Sequence, residues 1–134
     1  MPRIFISYRR ADSVTITGRI HDHLVMAFGE DSVFKDVDDI PLGADFRQVL
    51  DREVGSCDVL LVIVGQTWVN TQNEAGQRRL HDPDDFVRIE VAAGLSRPDV
   101  LVIPLLVKGA EMPTSAHMPS DLQELAYRNA AIIR

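Results

Sequence analysis

The chain is poor in cysteine and in positive charge. Its one cysteine, Cys57, has no partner for an internal disulfide, and no Cys/His spacing resembles a zinc site. Lysine and arginine number 14 against 20 aspartates and glutamates, which gives a net charge of −6 at pH 7. An acidic chain without a dense Lys/Arg stripe is a poor candidate for binding nucleic acid.

The sequence shows neither a long apolar run nor the pattern expected of a signal peptide. No apolar run approaches the length of a membrane span, and the start MPRIFISYRR becomes charged too soon for a signal peptide. Apolar residues make up 46% and charged residues 25% of the 134 residues, which is typical of one globular domain. We therefore expect a single domain in a reduced, cytoplasmic compartment, with neither nucleic acid nor a membrane as its partner.

Five short runs rich in β-branched residues predict strands. Three of them are nearly continuous in apolarity, which indicates strands covered on both faces, as in a parallel sheet. The strong runs span 3–8, 58–65 and 99–107, and the weaker ones span 32–36 and 128–134. Pro104 lies inside the fourth run, and because proline lacks an N–H for the ladder, it is predicted at a strand end or a bulge.

Helical patterns alternate with these runs. The first begins at an N-cap of Asp12 or Ser13 and ends at Gly29. The other three span about 44–54, 84–95 and 120–126. This alternation predicts a parallel sheet with right-handed crossovers. The simplest arrangement is an α/β, flavodoxin-like fold with five parallel strands in the order 2-1-3-4-5 and helices on both faces.

One acidic residue interrupts an apolar helix face. In the stretch DDFVRIEVAAGL (84–95), Glu90 lies near the centre of the apolar arc, with Phe86 one turn before it and Gly94 one turn after. An ionised carboxylate without water or a partner is costly to bury, and glutamate is rarely fully buried. Glu90 thus requires either a cleft to line or a partner of opposite charge.

Such a cleft is expected at the carboxyl ends of the strands, where the order of an open α/β sheet reverses. The crevice between the first and third strands receives side chains from both strand ends, which read SYRR (7–10) and GQTW (65–68). Glu90 would line this partly apolar cleft beside Phe86 and face two arginines. The alternatives are a structural ion pair with one of those arginines, contact with a backbone amide, or exposure to solvent.

Four segments together resemble a TIR domain (the Toll/interleukin-receptor homology domain) of the bacterial kind. They are the strand-one box FISYRR, the loop in VFKDVDDIPLGADF, the strand-three exit VIVGQTW and the third-helix box DFVRIEVAAGL. Each segment is weak alone, but four in this order are specific, and the resemblance runs from Arg3 to about Arg134. It implies the same flavodoxin-like fold.

The resemblance further implies an enzyme. Many TIR domains cleave NAD⁺ at the nicotinamide–ribose bond, using a glutamate on the third helix four residues after an aromatic that is often tryptophan. Here Glu90 takes the catalytic place and Phe86 the aromatic place, so the indole donor of tryptophan is absent. The implied products are nicotinamide and either ADP-ribose or a cyclic ADP-ribose, with neither a cofactor nor a metal required.

Further substrate contacts are expected from the same crevice. Arg9 and Arg10 either bind the diphosphate, form a solvated strand end, or pair with the acidic loop that follows the second strand. Tyr8 and Trp68 either stack on adenine or nicotinamide or pack against the sheet, and packing is favoured for Tyr8. Ser7, which emerges at the same strand end, is a further candidate.

The loop from Asp36 to Gly43, which the family calls the BB loop, has two expected roles. Its first residue, Asp36, is a candidate substrate contact, and its acidic residues indicate a solvated turn more than a metal site. The resemblance implies that the loop also packs against a neighbouring TIR domain, so that a homo-oligomer or filament completes the NAD⁺ pocket. The assembly residues are Asp38, Asp39, Ile40, Pro41, Leu42 and Gly43.

Other functions compete with NAD⁺ cleavage. A non-catalytic TIR adaptor would use the same surfaces for protein–protein assembly alone, and the presence of Glu90 favours the enzyme without excluding the adaptor. A response-regulator receiver shares the topology but needs an acidic phosphoacceptor after the third strand, where this chain has VGQTW. A dehydrogenase would need G-x-G-x-x-G after the first strand, and none is present.

The chain is also expected to belong to a longer protein. Relatives usually continue past the fifth strand into a last helix, so residues 1–134 are interpreted as a TIR domain cut from a multidomain protein. The setting that the resemblance implies is bacterial immune signalling or antiviral defence through depletion of cytoplasmic NAD⁺.

Overall fold

A computed structural model describes residues 2–35 and 41–133, whose strands form one parallel sheet. The strands are β1 (Ile4–Ser7), β2 (Val33–Phe34), β3 (Val59–Val64), β4 (Leu101–Val107) and β5 (Ala131–Ile133). They lie in the order β2-β1-β3-β4-β5, and every pairing is parallel. Each strand falls within its predicted run, and the predicted flavodoxin-like fold is confirmed.

The helices of the described residues alternate with the strands. The α-helices are α1 (Arg10–Phe28), α2 (Phe46–Gly55) and α3 (Phe86–Leu95), and the 3₁₀ segments are Glu30–Ser32, Arg79–His81, Ser115–His117 and Ser120–Tyr127. The fourth predicted helix is therefore 3₁₀ and not α. Its buried residues, Leu122 and Leu125, are three positions apart, which matches the 3₁₀ period. None of the described helices is both long and apolar enough to span a membrane.

The first helix begins earlier than predicted. α1 starts at Arg10, and its backbone leaves helical geometry at Ser13, where φ is −149° and ψ is 30°. The long, uninterrupted part of α1 thus begins just after Ser13, at the predicted position, but the Ser13 hydroxyl has no hydrogen-bond partner among the described residues and does not cap it. The Asp12 carboxylate instead accepts hydrogen bonds from the backbone N–H groups of Gly65 and Thr67, both at 2.8 Å. It thereby fastens α1 to the loop that leaves β3.

The second and third helices begin alike, with a capping aspartate followed by phenylalanine. The Asp45 carboxylate accepts a hydrogen bond from the N–H of Arg47 at 3.0 Å, and the Asp85 carboxylate accepts one from the N–H of Arg88 at 3.1 Å. The side chain and backbone N–H of Arg47 also hold the pKa of Asp45 below its usual value. Both caps place an aromatic ring at the first position of a helix.

Pro104 lies within β4, and not at a strand end or a bulge as predicted. It lies opposite Val62 of β3, and the pairing of β4 with β3 continues without interruption from Ile103 to Leu105. β5 pairs with β4 only from Leu105 onward. At Pro104, β4 therefore has a strand neighbour on one side only, and the open side tolerates a residue without an N–H group.

Apolar side chains cover both faces of the sheet. On one face, α2, α3 and the segment 120–127 pack over a core that includes the fully buried Leu60 and Val62. On the other face, α1 packs over Ile6 and Ile63. The helices on the first face position the candidate site, because their first turns reach the carboxyl edge of the sheet.

Candidate active site

A cleft of about 570 Å³ opens at the carboxyl edge of the sheet, beside the ends of β1 and β2. Its walls come from those strand ends, from α2, from the segment between β3 and α3, and from the first turns of α3. The charged and aromatic lining includes Arg9, Arg10, Lys35, Arg79, Phe86 and Glu90. This is the edge at which α/β sheets of reversed strand order bind ligands.

Glu90 is held in the wall of this cleft. Only 7% of the residue is exposed, and the Ser7 hydroxyl at the end of β1 donates a hydrogen bond to its Oε1 at 2.9 Å. Ser7 is itself fully buried, so this bond is shielded from bulk water. The structure thus brings together Glu90, the predicted catalytic residue, and Ser7, a predicted substrate contact, and the Ser7 hydroxyl contacts the carboxylate.

Arg9 binds an acid that the sequence did not single out. Two of its guanidinium nitrogens donate to the two carboxylate oxygens of Asp85, at 2.8 and 3.0 Å. The side chains of Arg9 and Asp85 are 2% and 8% exposed. None of the alternatives left open for Arg9 named this partner. The pair ties the end of β1 to the first turn of α3, the helix that carries Glu90, and it compensates the charge of Arg9 within the protein.

The residues on either side of Arg9 differ in exposure. Tyr8 lines the cleft but is buried, and it packs in the core beneath α1. Arg10 is the first residue of α1, lines the same cleft and is exposed. Both candidate substrate contacts therefore reach the cleft, and Tyr8 also has the packing role that the sequence favoured.

An aromatic pair forms the rim of the cleft. The rings of Phe86 and Phe46 stack with their centroids 5.0 Å apart and their planes at 25°. Phe86 is 46% exposed, so part of its ring remains open to the cleft. Phe46 was not singled out in the sequence analysis. The signal that could have identified it is the repeated Asp-Phe at the starts of α2 and α3.

Trp68 does not line the cleft. It is fully buried in the core under α3, together with Leu80 and Val91, and its indole nitrogen has no hydrogen-bond partner among the described residues. The proposal that Trp68 stacks on the substrate is therefore corrected: the ring packs in the core. The reason is local, because the loop after β3 turns back with the N–H of Trp68 donating to the carbonyl of Gly65.

The structure describes three of the eight residues of the BB loop, Pro41, Leu42 and Gly43. Asp36, Asp38, Asp39 and Ile40 lie outside the described residues, so their predicted roles stay predictions. Pro41, Leu42 and Gly43 are exposed, and the side chain of Leu42 is as accessible as in an extended chain. Gly43 has φ +82°, a left-handed conformation that favours glycine. The described end of the loop therefore presents an apolar residue directly to solvent.

The remaining acids of the cleft are engaged by neighbours. The Asp82 carboxylate accepts a hydrogen bond from the N–H of Asp84 at 2.9 Å, and the Asp84 carboxylate lies 4.0 Å from the guanidinium of Arg47. Within residues 2–35 and 41–133, no three His, Cys, Asp or Glu side chains come together in a way that could hold a metal ion. Cys57 is buried, which raises the pKa of its thiol to about 11 and makes it a poor nucleophile.

Comparisons with known proteins agree with this architecture. The sequence model of the family described as "TIR domain" matches residues 4–132. Among 28 matching chains of solved structures are the TIR domains of the activated Roq1 resistosome, which directly recognises the pathogen effector XopQ. That match has a TM-score of 0.70 and 12% sequence identity, and it covers 100% of this chain and 89% of the other. No curated protein sequence matches the chain.

Proposed function

Since this chain belongs to the TIR domain family, we propose that it cleaves NAD⁺ at the nicotinamide–ribose bond. The observation that carries the proposal is the position of Glu90, a buried carboxylate held by Ser7 in the wall of an open cleft. The products are nicotinamide and either ADP-ribose or a cyclic ADP-ribose. The cytoplasm, where NAD⁺ is available, is the proposed compartment, and NAD⁺ depletion in bacterial immune defence is the proposed role.

The reaction requires from the protein one well-placed negative charge and little else. Nicotinamide leaves from a cationic pyridinium as a neutral group, so no general acid is required. The bond that breaks leaves positive charge on the ribose, in a transition state that resembles an oxocarbenium ion. A carboxylate beside the sugar stabilises that charge, and a site that excludes water strengthens the interaction. Attack by water then gives ADP-ribose, and attack by a group of the same molecule gives a cyclic product.

The residues of the cleft fit separate parts of this task. Glu90 provides the charge, and the hydrogen bond from Ser7 fixes the direction of its carboxylate before substrate arrives. The Arg9–Asp85 pair holds the start of α3 against the end of β1. The exposed part of Phe86 offers an aromatic face for the cationic nicotinamide ring, with Phe46 stacked behind it.

We further propose that catalysis depends on self-assembly through the BB loop. A fully exposed leucine at a loop tip is stabilised when a partner covers it, and Leu42 is such a residue. The TIR domains of the Roq1 resistosome, which share this fold, were solved within an activated assembly. The same exposed leucine favours the alternative function, a non-catalytic adaptor that assembles with other TIR domains.

The test compares Glu90→Gln with Glu111→Gln, a matched change at an exposed glutamate outside this cleft. Nicotinamide release from NAD⁺ is measured by chromatography at several protein concentrations. Glu90→Gln is expected to lower turnover by about 10²- to 10³-fold, the effect of removing one electrostatic stabiliser. Glu111→Gln is expected to match the wild type. Equal turnover by all three proteins would overturn the assignment of Glu90, and no turnover by the wild type at any concentration would favour the adaptor.

A further inference from the structure

The cleft contains cations that the chemistry at Glu90 does not use. Besides Arg9 and Arg10, its lining includes Lys35 and Arg79. Arg9 is compensated by Asp85 through two short hydrogen bonds. Among the described residues, by contrast, neither Lys35 nor Arg79 has a carboxylate within ion-pair distance. Two positive side chains therefore line the cleft without an ion-pair partner within residues 2–35 and 41–133.

These two cations come from different elements of the cleft wall. Lys35 directly follows β2, and because Phe34 pairs with Phe5, it stands beside the end of β1, next to the strand position that carries Ser7. Arg79 begins the 3₁₀ turn that precedes α3. Lys35 is half-buried and Arg79 is exposed. A ligand in the cleft would thus have one cation on the sheet side and one on the loop side.

None of the described acids of the same cleft forms an ion pair with Lys35 or Arg79. The Asp82 carboxylate accepts a hydrogen bond from the N–H of Asp84, and the Asp84 carboxylate lies 4.0 Å from the guanidinium of Arg47. Asp85 is occupied by Arg9. Lys35 and Arg79 therefore remain available for an anion that enters from solvent.

We propose that Lys35 and Arg79 bind the diphosphate of the dinucleotide, while Glu90 faces the ribose next to nicotinamide. This proposal rests on the proposed function and names the residues that select its substrate class. Arginine and lysine both suit phosphate oxygens, and charge-assisted hydrogen bonds are the strong ones in proteins. Contact with the diphosphate, one of the alternatives left open for Arg9 and Arg10, is thus assigned here to two residues that the sequence analysis did not single out.

The test measures binding of ADP-ribose, which retains the diphosphate, and of adenosine, which lacks it. Calorimetric titration is carried out on the wild type, Lys35→Gln, Arg79→Gln and the double variant. Each single change is expected to weaken ADP-ribose binding by about tenfold, the order of one charge-assisted hydrogen bond. Adenosine binding should change by less than about twofold, because the lost contacts are to phosphate.

Matched controls lie elsewhere in the chain. Arg78→Gln alters the neighbouring arginine, which lines a different cleft, and Lys108→Gln alters an exposed lysine at the end of β4. Both controls should bind ADP-ribose like the wild type. The charge-preserving changes Lys35→Arg and Arg79→Lys should restore most of the affinity, which a general loss of folding would not allow. Unchanged ADP-ribose affinity in the Lys35 and Arg79 variants, or equal losses in the controls, would overturn the proposal.

This experiment separates the two proposals because binding of ADP-ribose requires no catalysis. A wild type that binds ADP-ribose through Lys35 and Arg79 but releases no nicotinamide would keep the diphosphate site and end the proposal of NAD⁺ cleavage. A wild type that cleaves NAD⁺ with the same KM as the Lys35 and Arg79 variants would end the diphosphate site alone. If both proposals hold, KM for NAD⁺ rises about tenfold in each variant and kcat stays within about twofold.

Discussion

Two clefts open at the carboxyl edge of this sheet, and their sizes are close, about 570 and 510 Å³. The first lies beside the ends of β1 and β2, and it is the candidate active site. The second lies beside the ends of β3 and β4, between the loop after β3 and residues 109–117. The volume of a cleft and its position in the fold therefore do not show whether it is a catalytic site.

The two clefts differ in whether their charged side chains are buried. In the first, Glu90 and Arg9 are each less than a tenth exposed and are held by specific partners. In the second, the charged and titratable lining residues Arg78, Glu111 and His117 all remain exposed or half-buried. The side-chain hydrogen bonds of its lining residues include one of 2.8 Å between Thr114 and His117 and one of 2.7 Å from the Gln66 amide to the Lys108 carbonyl.

This difference points to function because burying charge is costly. A carboxylate that leaves water is tolerated only where hydrogen bonds replace its hydration, and those bonds then fix its direction. In the first cleft the charged side chains of Glu90, Arg9 and Asp85 are buried in this way, whereas none of the described charged residues that line the second cleft is buried. Experiments on the buried groups should therefore have large effects, and matched changes in the second cleft should have small ones.

The largest effect on stability is expected from Asp85→Ala. It leaves the buried guanidinium of Arg9 without its partner and removes the cap of α3, so the free energy of unfolding should fall by about 3–5 kcal/mol. Urea unfolding followed by circular dichroism measures the loss. Asp121→Ala is the control, since it breaks a more exposed ion pair with Arg88 and should lower stability by less than about 1 kcal/mol.

A double variant tests why Asp85→Ala is expected to lower the stability. If the loss arises from an unpaired buried charge, the double variant Arg9→Met with Asp85→Leu should be more stable than Asp85→Ala, because neither partner is then left charged. A double variant that is less stable than Asp85→Ala would contradict this explanation. Equal losses for Asp85→Ala and Asp121→Ala would show that the buried pair contributes no more than a surface ion pair.

An intermediate effect is expected from Ser7→Ala. The change removes the hydroxyl that donates to Glu90 and leaves the carboxylate less well oriented, so kcat for NAD⁺ should fall by about tenfold. Turnover is measured by nicotinamide release. Thr114→Val, which removes a comparable hydroxyl hydrogen bond in the second cleft, should leave turnover unchanged. Equal kcat values for both variants would remove Ser7 from the proposed mechanism.

The smallest effect on the isolated fold is expected from Leu42→Asp, outside both clefts. Because Leu42 is fully exposed, stability should change by less than about 0.5 kcal/mol. Self-assembly should weaken, since the apolar loop tip is replaced by a charge, and turnover should fall only at concentrations where the wild type assembles. Light scattering over a concentration series measures particle size. Unchanged particle size would contradict the role of the BB loop in assembly.

The sequence was sufficient for the order of the elements and for several residues that line the cleft, among them Tyr8, Arg10, Phe86 and Glu90. Continuous apolar runs predicted the parallel strands, and their alternation with helices predicted the strand order that the structure has. Glu90 was identifiable because a carboxylate at the centre of an apolar arc is a local contradiction. The strand-one box FISYRR and the reversal of strand order then indicated which cleft Glu90 would line.

Contacts between distant segments could not be predicted in the same way. Arg9 and Asp85 are 76 positions apart, and Ser7 and Glu90 are 83 apart, so no local periodicity links them. The burial of Trp68 followed from a turn after β3, and the stacking of Phe46 on Phe86 followed from the packing of α2 against α3. Local periodicity reports which face of an element is apolar. The partner that each polar group meets depends on where the chain brings the other elements, and only the folded molecule settles that.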